Sequence, residues 1–248
     1  MTRWKAAALH FSISAAIGLV VGALLFGFWY PPPFFHAAGA DELVLLLVGV
    51  DIVLGPLLTL IVFRAGKRGM KFDLWVIGLT QSIALVYGLA VVLQSRPIFL
   101  VGAVDRFVLV AANEVTDADL NKATDTNFRS RSWTGPRLAI AEIPTDPQER
   151  SRLVMESMSG HDLQNQPLYF HRYEGRGKGL LQRAKPLNDL RKSRPADAAS
   201  IDRWLSDHHR DDNSVRWLPV QALKADLVMM MDAVSGEPLG AVQVEPTW

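Results

Sequence analysis

Apolar residues are concentrated in the first hundred positions of the chain. Residues 10–30, 43–63 and 74–93 form three runs that carry almost no charge. A helix of about twenty apolar residues is long enough to cross a hydrocarbon core of about 30 Å. The pattern therefore predicts three membrane spans within residues 1–94. Because two more spans follow the first run, we interpret that run as an uncleaved anchor rather than a signal peptide.

Residues 95–248 mix charged residues, prolines and short apolar runs, as a water-exposed domain does. Residues 96–110 predict a β-hairpin or two short strands, and residues 225–244 predict a β-hairpin with its turn at residues 235–238. Residues 117–125, 146–158 and 199–209 predict short helices, the last of them capped by Ser200. The predicted fold is a three-helix transmembrane bundle followed by a small periplasmic α+β domain with antiparallel strands.

Basic residues indicate the orientation in the membrane, because loops rich in lysine and arginine stay on the cytoplasmic side. Residues 31–42 contain neither residue type but include Asp41 and Glu42. The basic residues flank the opposite ends of the three runs: Arg3, Lys5, Arg64, Lys67, Arg68 and Lys71. We therefore expect a multi-pass protein of a bacterial inner membrane, with a cytoplasmic N-terminus and residues after 94 in the periplasm.

Small residues form a stripe along the first run. Ser14, Gly18 and Gly22 are spaced four residues apart, so they share one face of a helix. Small residues at this spacing allow two helix backbones to approach closely in lipid. The partner of this face is either another span of the same chain or a helix of another protein.

Asp51 is a carboxylate in the middle of the second run. A charged group near the centre of a bilayer normally faces the bundle interior and has a partner. Asp51 lies roughly 18 Å from the end of its run at residue 63, and Tyr87 lies at nearly the same depth in the third run. We expect Tyr87 to be the first candidate for a hydrogen bond to Asp51, and Gln81 to be the second.

Three interpretations of Asp51 remain open. It can join helices of this chain, it can contact a helix of a partner, or it can belong to a proton or ion relay. A relay needs several ionisable groups in file, whereas the three runs contain only Asp51 and, near the inner edge, His10. The neighbouring Gly55-Pro56 pair fits the first interpretation, since a proline frees a backbone carbonyl that neighbouring groups must satisfy.

Motifs for catalysis or ligand binding are weak. The segment GRGKG, residues 175–179, lacks the strand and the GK[ST] ending of a phosphate loop, so we predict a flexible loop. His208, His209, Asp211 and Asp212 lack the distant ligands of a closed metal site. The chain has no GxSxG motif, no cysteine and a formal net charge of +1. We therefore expect no enzyme activity, no metal or other cofactor, and no nucleic acid partner.

Several segments together resemble the TfpX/TfpZ family of type IV pilin accessory proteins. The resemblance lies in residues 3–18, the WYPPPFF segment, LLLVGVDIVLGPLLTLIVF, residues 66–89 and residues 96–107, with smaller islands at 160–170 and 235–240. It is specific over residues 1–110. It implies an inner-membrane protein that assists or modulates pilus assembly by binding its major pilin, like a chaperone and without catalytic residues.

Two hypotheses follow for function. In the first, the protein binds the major pilin in the bilayer through Asp51, with Tyr87 and Gln81, or through the Ser14, Gly18 and Gly22 face. Beyond the bilayer it binds the pilin through the outer domain. Membrane lipid and other inner-membrane components of pilus assembly are its further expected partners. In the alternative, the outer domain senses a ligand and regulates pilus function. The short predicted cytoplasmic segments favour the first, since they are too small for an output domain.

Overall fold

The computed structural model describes residues 2–246, and only the backbone of Leu46. Its first part consists of α1 (Arg3–Leu24, continued by a π-helical turn Leu25–Trp29), α2 (Phe34–Ala37), α3 (Ala40–Val62) and α4 (Met70–Ser95). The three long helices coincide with the three predicted apolar runs. Each is long and apolar enough to cross a membrane.

Helix α3 packs against both α1 and α4. Many large apolar side chains of these helices point away from the rest of the protein, among them Leu19, Ile61, Trp75 and Val86. Apolar surface on this scale is unusual for a protein surrounded by water. The helices therefore indicate membrane association.

The second part of the chain combines one sheet with short helices. Its strands are β1 (Pro97–Ala103), β2 (Arg106–Ala111), β3 (Arg137–Ala141), β4 (Phe170–His171), β5 (Lys185–Pro186), β6 (Val215–Gln221), β7 (Leu227–Asp232) and β8 (Pro238–Val242). Its helices are α5 (Asp117–Lys122), α6 (Pro147–Ser157), α7 (Lys178–Leu181), α8 (Leu187–Ser193) and α9 (Ala198–Asp207). Residues 247 and 248 of the predicted outer domain lie outside the described residues.

The sheet is mixed, so the prediction of antiparallel strands is wrong in part. The strand order is β4-β3-β1-β2-β6-β7-β8, with β5 also paired to β6. Both predicted hairpins are confirmed as the antiparallel pairs β1–β2 and β7–β8. However, β1 pairs with β3 in parallel, and β2 pairs with β6 in parallel. Hairpins follow from local sequence, whereas these two pairings join strands that are distant along the chain.

Two of the predicted helices begin at side-chain caps, and the cap that was predicted for the third is wrong. Helix α6 has Pro147 in its first turn, and the Asp146 carboxylate accepts a hydrogen bond from the Glu149 N–H at 2.9 Å. Helix α5 begins after Thr116, whose hydroxyl accepts from the Asp119 N–H. Helix α9 begins at Ala198, so Ser200 lies inside it and the predicted serine cap is wrong.

One hydrophobic cluster, here called the junction cluster, joins the helices to one face of the sheet. The ends of the helices contribute Val21, Leu25, Trp29, Tyr30, Ala37, Ala38, Ala40 and Val92. The sheet contributes Leu100, Phe107, Leu109, Ile140, Leu218, Val220, Leu227, Met229 and Met231, and Tyr173 and Leu180 pack beside them. The predicted boundary after residue 94 therefore does not divide the hydrophobic core.

The opposite face of the sheet is covered by two separate clusters. Strands β1–β4 pack against α5, α6 and neighbouring turns, around Phe99, Phe128 and Phe170, whose rings meet edge to face. Strands β6–β8 pack against α8 and α9, with Trp217 and Met230 inside. Thus the two halves of the sheet share a core only on the face that meets the helices.

Polar contacts reinforce the junction. The buried Tyr30 hydroxyl donates to the Val92 carbonyl at 2.8 Å, and the Arg96 guanidinium donates to the carbonyls of Leu93 and Ser132. The last four carbonyls of a helix have no partner within it, so both side chains satisfy the end of α4. The Lys224 N–H donates to the Ala37 carbonyl at 2.9 Å, which ties the β6–β7 loop to α2.

We expect Tyr30→Phe to destabilise the protein by about 1–3 kcal/mol, because the buried Val92 carbonyl loses its donor. Thermal unfolding of the purified protein in detergent should show a lower Tm. Tyr87→Phe is the matched control, since Tyr87 is 71% exposed and its hydroxyl makes no hydrogen bond among the described residues. Equal Tm values for the Tyr30 variant and the wild type would contradict this role.

Candidate partner-binding site between the helices

The Ser14 and Gly18 face of α1 is turned toward α3. A Cβ atom on Gly18 would lie 3.0 Å from Val48 Cγ1 and 3.6 Å from Ile52 Cδ1. Ser14, one turn earlier, is buried. The small residues therefore serve a close helix contact within this chain, which is one of the two alternatives that the sequence leaves open.

Gly22 does not take part in this contact. Among the side chains that the structure describes, none has a heavy atom within 4 Å of a Cβ atom built on it. Its neighbours Val21 and Leu25 belong instead to the junction cluster. The stripe predicted from spacing thus divides into two residues that face α3 and one that borders open space.

A hydrogen bond near the opposite end of α1 was not expected from the sequence. His10 Nδ1 lies 2.6 Å from the hydroxyl of Thr59, and Thr59 is buried. The sequence did contain a signal for this contact. Both residues are polar, both lie in apolar helices, and they lie at the same depth when α1 and α3 are antiparallel. The contact fixes the register in which Ser14 and Gly18 meet α3.

Gln81, rather than Tyr87, is the residue that donates to Asp51. Gln81 Nε2 lies 3.2 Å from the Asp51 backbone oxygen and 3.4 Å from its Oδ1. The expected order of the two candidates is therefore reversed. Six residues separate Gln81 from Tyr87, which rotates Tyr87 by about 240° around α4. Tyr87 was expected opposite Asp51 because the two residues lie at the same depth. The position of Tyr87 around the axis of α4 instead leaves its side chain exposed.

Gly55 provides the space for this hydrogen bond. A Cβ atom there would lie 2.1 Å from Gln81 Nε2 and 2.7 Å from its Cδ. Gln81 Oε1 is buried and has no hydrogen-bond partner among the described residues. The Asp51–Gln81 pair therefore joins α3 to α4 and keeps one acceptor unused.

A groove of about 350 Å³ opens between α3 and α4 beside this pair. Asp51 and Tyr87 are its polar lining residues; the remainder are Leu43, Leu47, Val50, Ala84, Leu85, Gly88, Val91 and Val92. Gly88 brings the two helices close, since a Cβ atom there would lie 2.2 Å from Leu47 Cδ1. This helix groove runs from the middle of the helices to Val92, which belongs to the junction cluster.

The weak chemical motifs have structural roles in the sheet part. The backbone of Gly177, in the GRGKG segment, packs on the β7–β8 turn, where a Cβ atom would lie 2.2 Å from the Gly236 oxygen. The Gly175 N–H donates to Glu237 Oε1 at 3.0 Å. The segment is thus a docked turn. Its glycines allow a close backbone approach that the sequence did not reveal.

The histidine and aspartate cluster near residue 210 is also occupied by other contacts. The His208 ring stacks on Trp204 at 4.1 Å between centroids. Asp212 accepts two hydrogen bonds from Arg191, which lower the pKa of the Asp212 carboxyl. Asp211 caps the turn through the Ser214 N–H. Among residues 2–246, no group of three such side chains could hold a metal ion.

Asp119 and His161 form a polar pair beside α5, with 3.3 Å between carboxylate and imidazole. Burial opposes ionisation of Asp119, but hydrogen bonds from Thr116 and Lys122 and the charge of His161 outweigh it and lower its pKa. The Thr116 hydroxyl donates to Asp119 at 2.5 Å and so serves the start of the helix. The geometry is that of a helix cap, not of a nucleophile activated by a base.

Comparisons with known proteins find similarity to fimbrial assembly proteins. A family model described as "Fimbrial assembly protein FimB" matches residues 1–39. "Fimbrial assembly protein, serogroup I" of Dichelobacter nodosus is 28% identical over 185 residues, covering 74% of this chain and 72% of the relative. This chain is similar to fimbrial assembly proteins.

A shorter relative gives the same result. "Fimbrial assembly protein, serogroups C1 and C2", also of Dichelobacter nodosus, is 29% identical over 121 residues, which are 48% of this chain and 92% of the relative. No solved structure matches the chain. The similarity to fimbrial assembly proteins supports a role in fimbrial assembly, and it leaves the assignment of individual residues to the geometry described above.

We expect Gly55→Ala to displace the Gln81 side chain and to cost about 1 kcal/mol, the usual magnitude for a hydrogen bond between membrane helices. Thermal unfolding in detergent would measure the loss. Gly49→Ala, in the same helix, is the control, since nothing lies within 4 Å of a Cβ atom there. The proposed role of Gly55 fails if both variants have the Tm of the wild type.

Leucine substitutions at Gly18, which contacts α3, and at Gly22, which does not, should have different effects. Gly18→Leu should overpack the α1–α3 contact by about 1–3 kcal/mol and lower the abundance of the protein in membranes. Gly22→Leu should leave abundance unchanged, because its side chain enters open space. Quantitative immunoblots of membrane fractions would test both. Similar losses of abundance for the two variants would show that the stripe does not divide as described.

Proposed function

We propose that this protein is an inner-membrane accessory protein of the TfpX/TfpZ kind, which binds its major type IV pilin and assists or modulates pilus assembly without catalysis. The similarity to fimbrial assembly proteins supports the assembly role. The observation that carries the binding proposal is the helix groove. This groove is apolar, lies between two candidate membrane helices and has the carboxyl group of Asp51 in its wall.

In this proposal the three long helices cross the inner membrane with the N-terminus in the cytoplasm. The lysine and arginine residues of the chain start and of the α3–α4 loop support this orientation. Asp41 and Glu42 lie at the opposite end of α3, beside the sheet, where Lys224 forms ion pairs with both. The sheet part then lies in the periplasm.

The occupant of the helix groove is the apolar membrane helix of the pilin. Lipid tails are as apolar as leucine, so an apolar groove alone gives little preference for a protein helix over lipid. Close packing along the groove at Val50, together with a hydrogen bond to the Asp51 carboxyl in its wall, provides that preference.

The junction cluster extends this recognition beyond the membrane. Because the sheet packs directly on the ends of α1, α3 and α4, its position relative to the helix groove is fixed. A pilin whose helix lies in the groove therefore presents its periplasmic head to a defined surface of the sheet part. Holding both regions at once is the chaperone-like action that we propose.

A photocrosslinking amino acid, p-benzoylphenylalanine, placed at Val50 in the helix groove should form an adduct with the major pilin in living, piliated cells. Leu19 is the matched control, since it is a 76% exposed apolar residue on α1 outside the groove. Adducts would be detected with an antibody to the major pilin of the same bacterium. We expect the adduct at Val50 and not at Leu19.

Asp51→Ala in the Val50 crosslinking background tests the role of the carboxyl group. We expect a weaker pilin adduct at unchanged protein abundance, whereas a purely internal role would lower abundance instead. Absence of any pilin adduct at Val50, together with normal pilus numbers after deletion of the protein, would refute the proposed function.

A further inference from the structure

The sheet has an opening inside its strand order, between the ends of β2 and β6. The two strands pair only at Phe107 with Val220 and at Val108 with Gln221. Pro219 has no N–H, so it cannot extend the ladder in one direction, and β6 ends at Gln221 in the other. Strand β2 continues to Ala111. Its last three residues thus have no neighbouring strand on this side.

A cavity of about 360 Å³ fills this opening, here called the junction cavity. One wall is the end of β2 with Asn113 and Glu114, and the opposite wall is residues 221–223 after β6. Ala38 and Ser95 also line it, so it lies where the sheet meets the ends of α2 and α4. Leu223 is 80% exposed at its rim.

Backbone N–H groups on both walls are held by side-chain carboxylates instead of a strand. The Ala111 N–H donates to Glu114 Oε2 at 2.6 Å, and the Ala222 N–H donates to Asp226 Oδ1 at 3.1 Å. Glu114 does so as the capping residue of the turn Ala112–Glu114, so a side chain and not a strand satisfies this N–H. Such side-chain caps protect a strand end against unwanted pairing, and an incoming backbone carbonyl can replace them.

The junction cavity is close to the helix groove. Val91 lines the groove and Ser95 lines the cavity, and residues four apart lie on one face of a helix, about 6 Å from each other along its axis. A partner seated in the groove can therefore reach the cavity. Among the described residues that line the cavity, Glu114 is the charged one, so a basic side chain of the partner complements it.

We infer that the junction cavity binds an extended, lysine- or arginine-containing segment from the periplasmic head of the pilin, which pairs its backbone with the end of β2. This inference rests on the proposed function and names the second contact of the same partner. The incoming carbonyl accepts the Ala111 N–H, and the released Glu114 carboxylate pairs with the basic side chain.

The test uses p-benzoylphenylalanine at Leu223 in piliated cells, with the crosslinked pilin peptide mapped by mass spectrometry. Ala111→Pro removes the proposed donor, and the Ala111 φ of −84° suits proline, so the fold should persist. We expect the Leu223 adduct to fall about fivefold or more, as for the loss of one hydrogen bond. The Val50 adduct should remain, which verifies folding and membrane insertion.

Two controls define the result. Glu114→Gln keeps an acceptor for Ala111 but removes the charge, and it should weaken the Leu223 adduct without changing the Val50 adduct. Val234, on the exposed β7–β8 turn, should give no pilin adduct when it carries the crosslinker.

A pilin adduct at Val50 but none at Leu223 would overturn this inference and leave the proposed function standing. An adduct of Leu223 with lipid or with a second copy of this chain, or an adduct that Ala111→Pro does not reduce, would overturn it as well.

Discussion

The burial of the helix ends under the sheet is the constraint on which the rest of the structure depends. Tyr30, Leu25 and Phe107 are completely buried within one cluster that contains residues of both parts. Arg96 alone separates α4 from β1 along the chain, and its guanidinium satisfies the end of α4. The helices and the sheet therefore cannot rotate freely against each other. Alignment of the helix groove with the junction cavity follows from this packing.

If the helices lie in a membrane, as we propose, different forces stabilise the sheet part and the helical part. Burial of apolar surface away from water stabilises the junction cluster and the two clusters on the other face of the sheet. Among lipid tails that driving force is absent, and packing and hydrogen bonds replace it. Gly18, Gly55 and Gly88 bring helices or their side chains close together. The His10–Thr59 and Asp51–Gln81 contacts then join α3 to its two neighbours. Because these glycines lie where the helices pack most closely, we expect single substitutions there to have measurable effects.

Much of the fold follows from local sequence patterns. The three apolar runs, the two hairpins and the helices α5 and α6 were predictable because each depends on residues that are neighbours in the chain. The parallel pairs β1–β3 and β2–β6 were not, because nothing local indicates which distant strands meet. For the candidate site, the sequence identified Asp51 and both possible donors. It misjudged the order of Tyr87 and Gln81, since depth was counted along the helix and rotation was not.

The positions of the remaining glycines illustrate what lies beyond such patterns. Gly177 and Gly236 lie close to each other, although they are distant along the chain. The sequence pattern predicted only that the first lies in a flexible loop and the second in a hairpin turn. Likewise, Gly22 has the spacing of an interface residue and yet meets nothing within 4 Å. Spacing establishes which residues share a face, and only the packing of the whole chain decides what that face meets.

The two openings in this packing are the features that suggest a partner. A protein that stabilised only itself would gain by filling the helix groove and by extending the β2–β6 ladder. Here the groove has the Asp51 carboxyl in its wall, and the Ala111 N–H at the strand end is bonded to a carboxylate side chain that a backbone can displace. One opening suits an apolar helix and the other an extended chain, and they follow each other along α4. A subunit with a membrane helix and an outer head has both features in the same order.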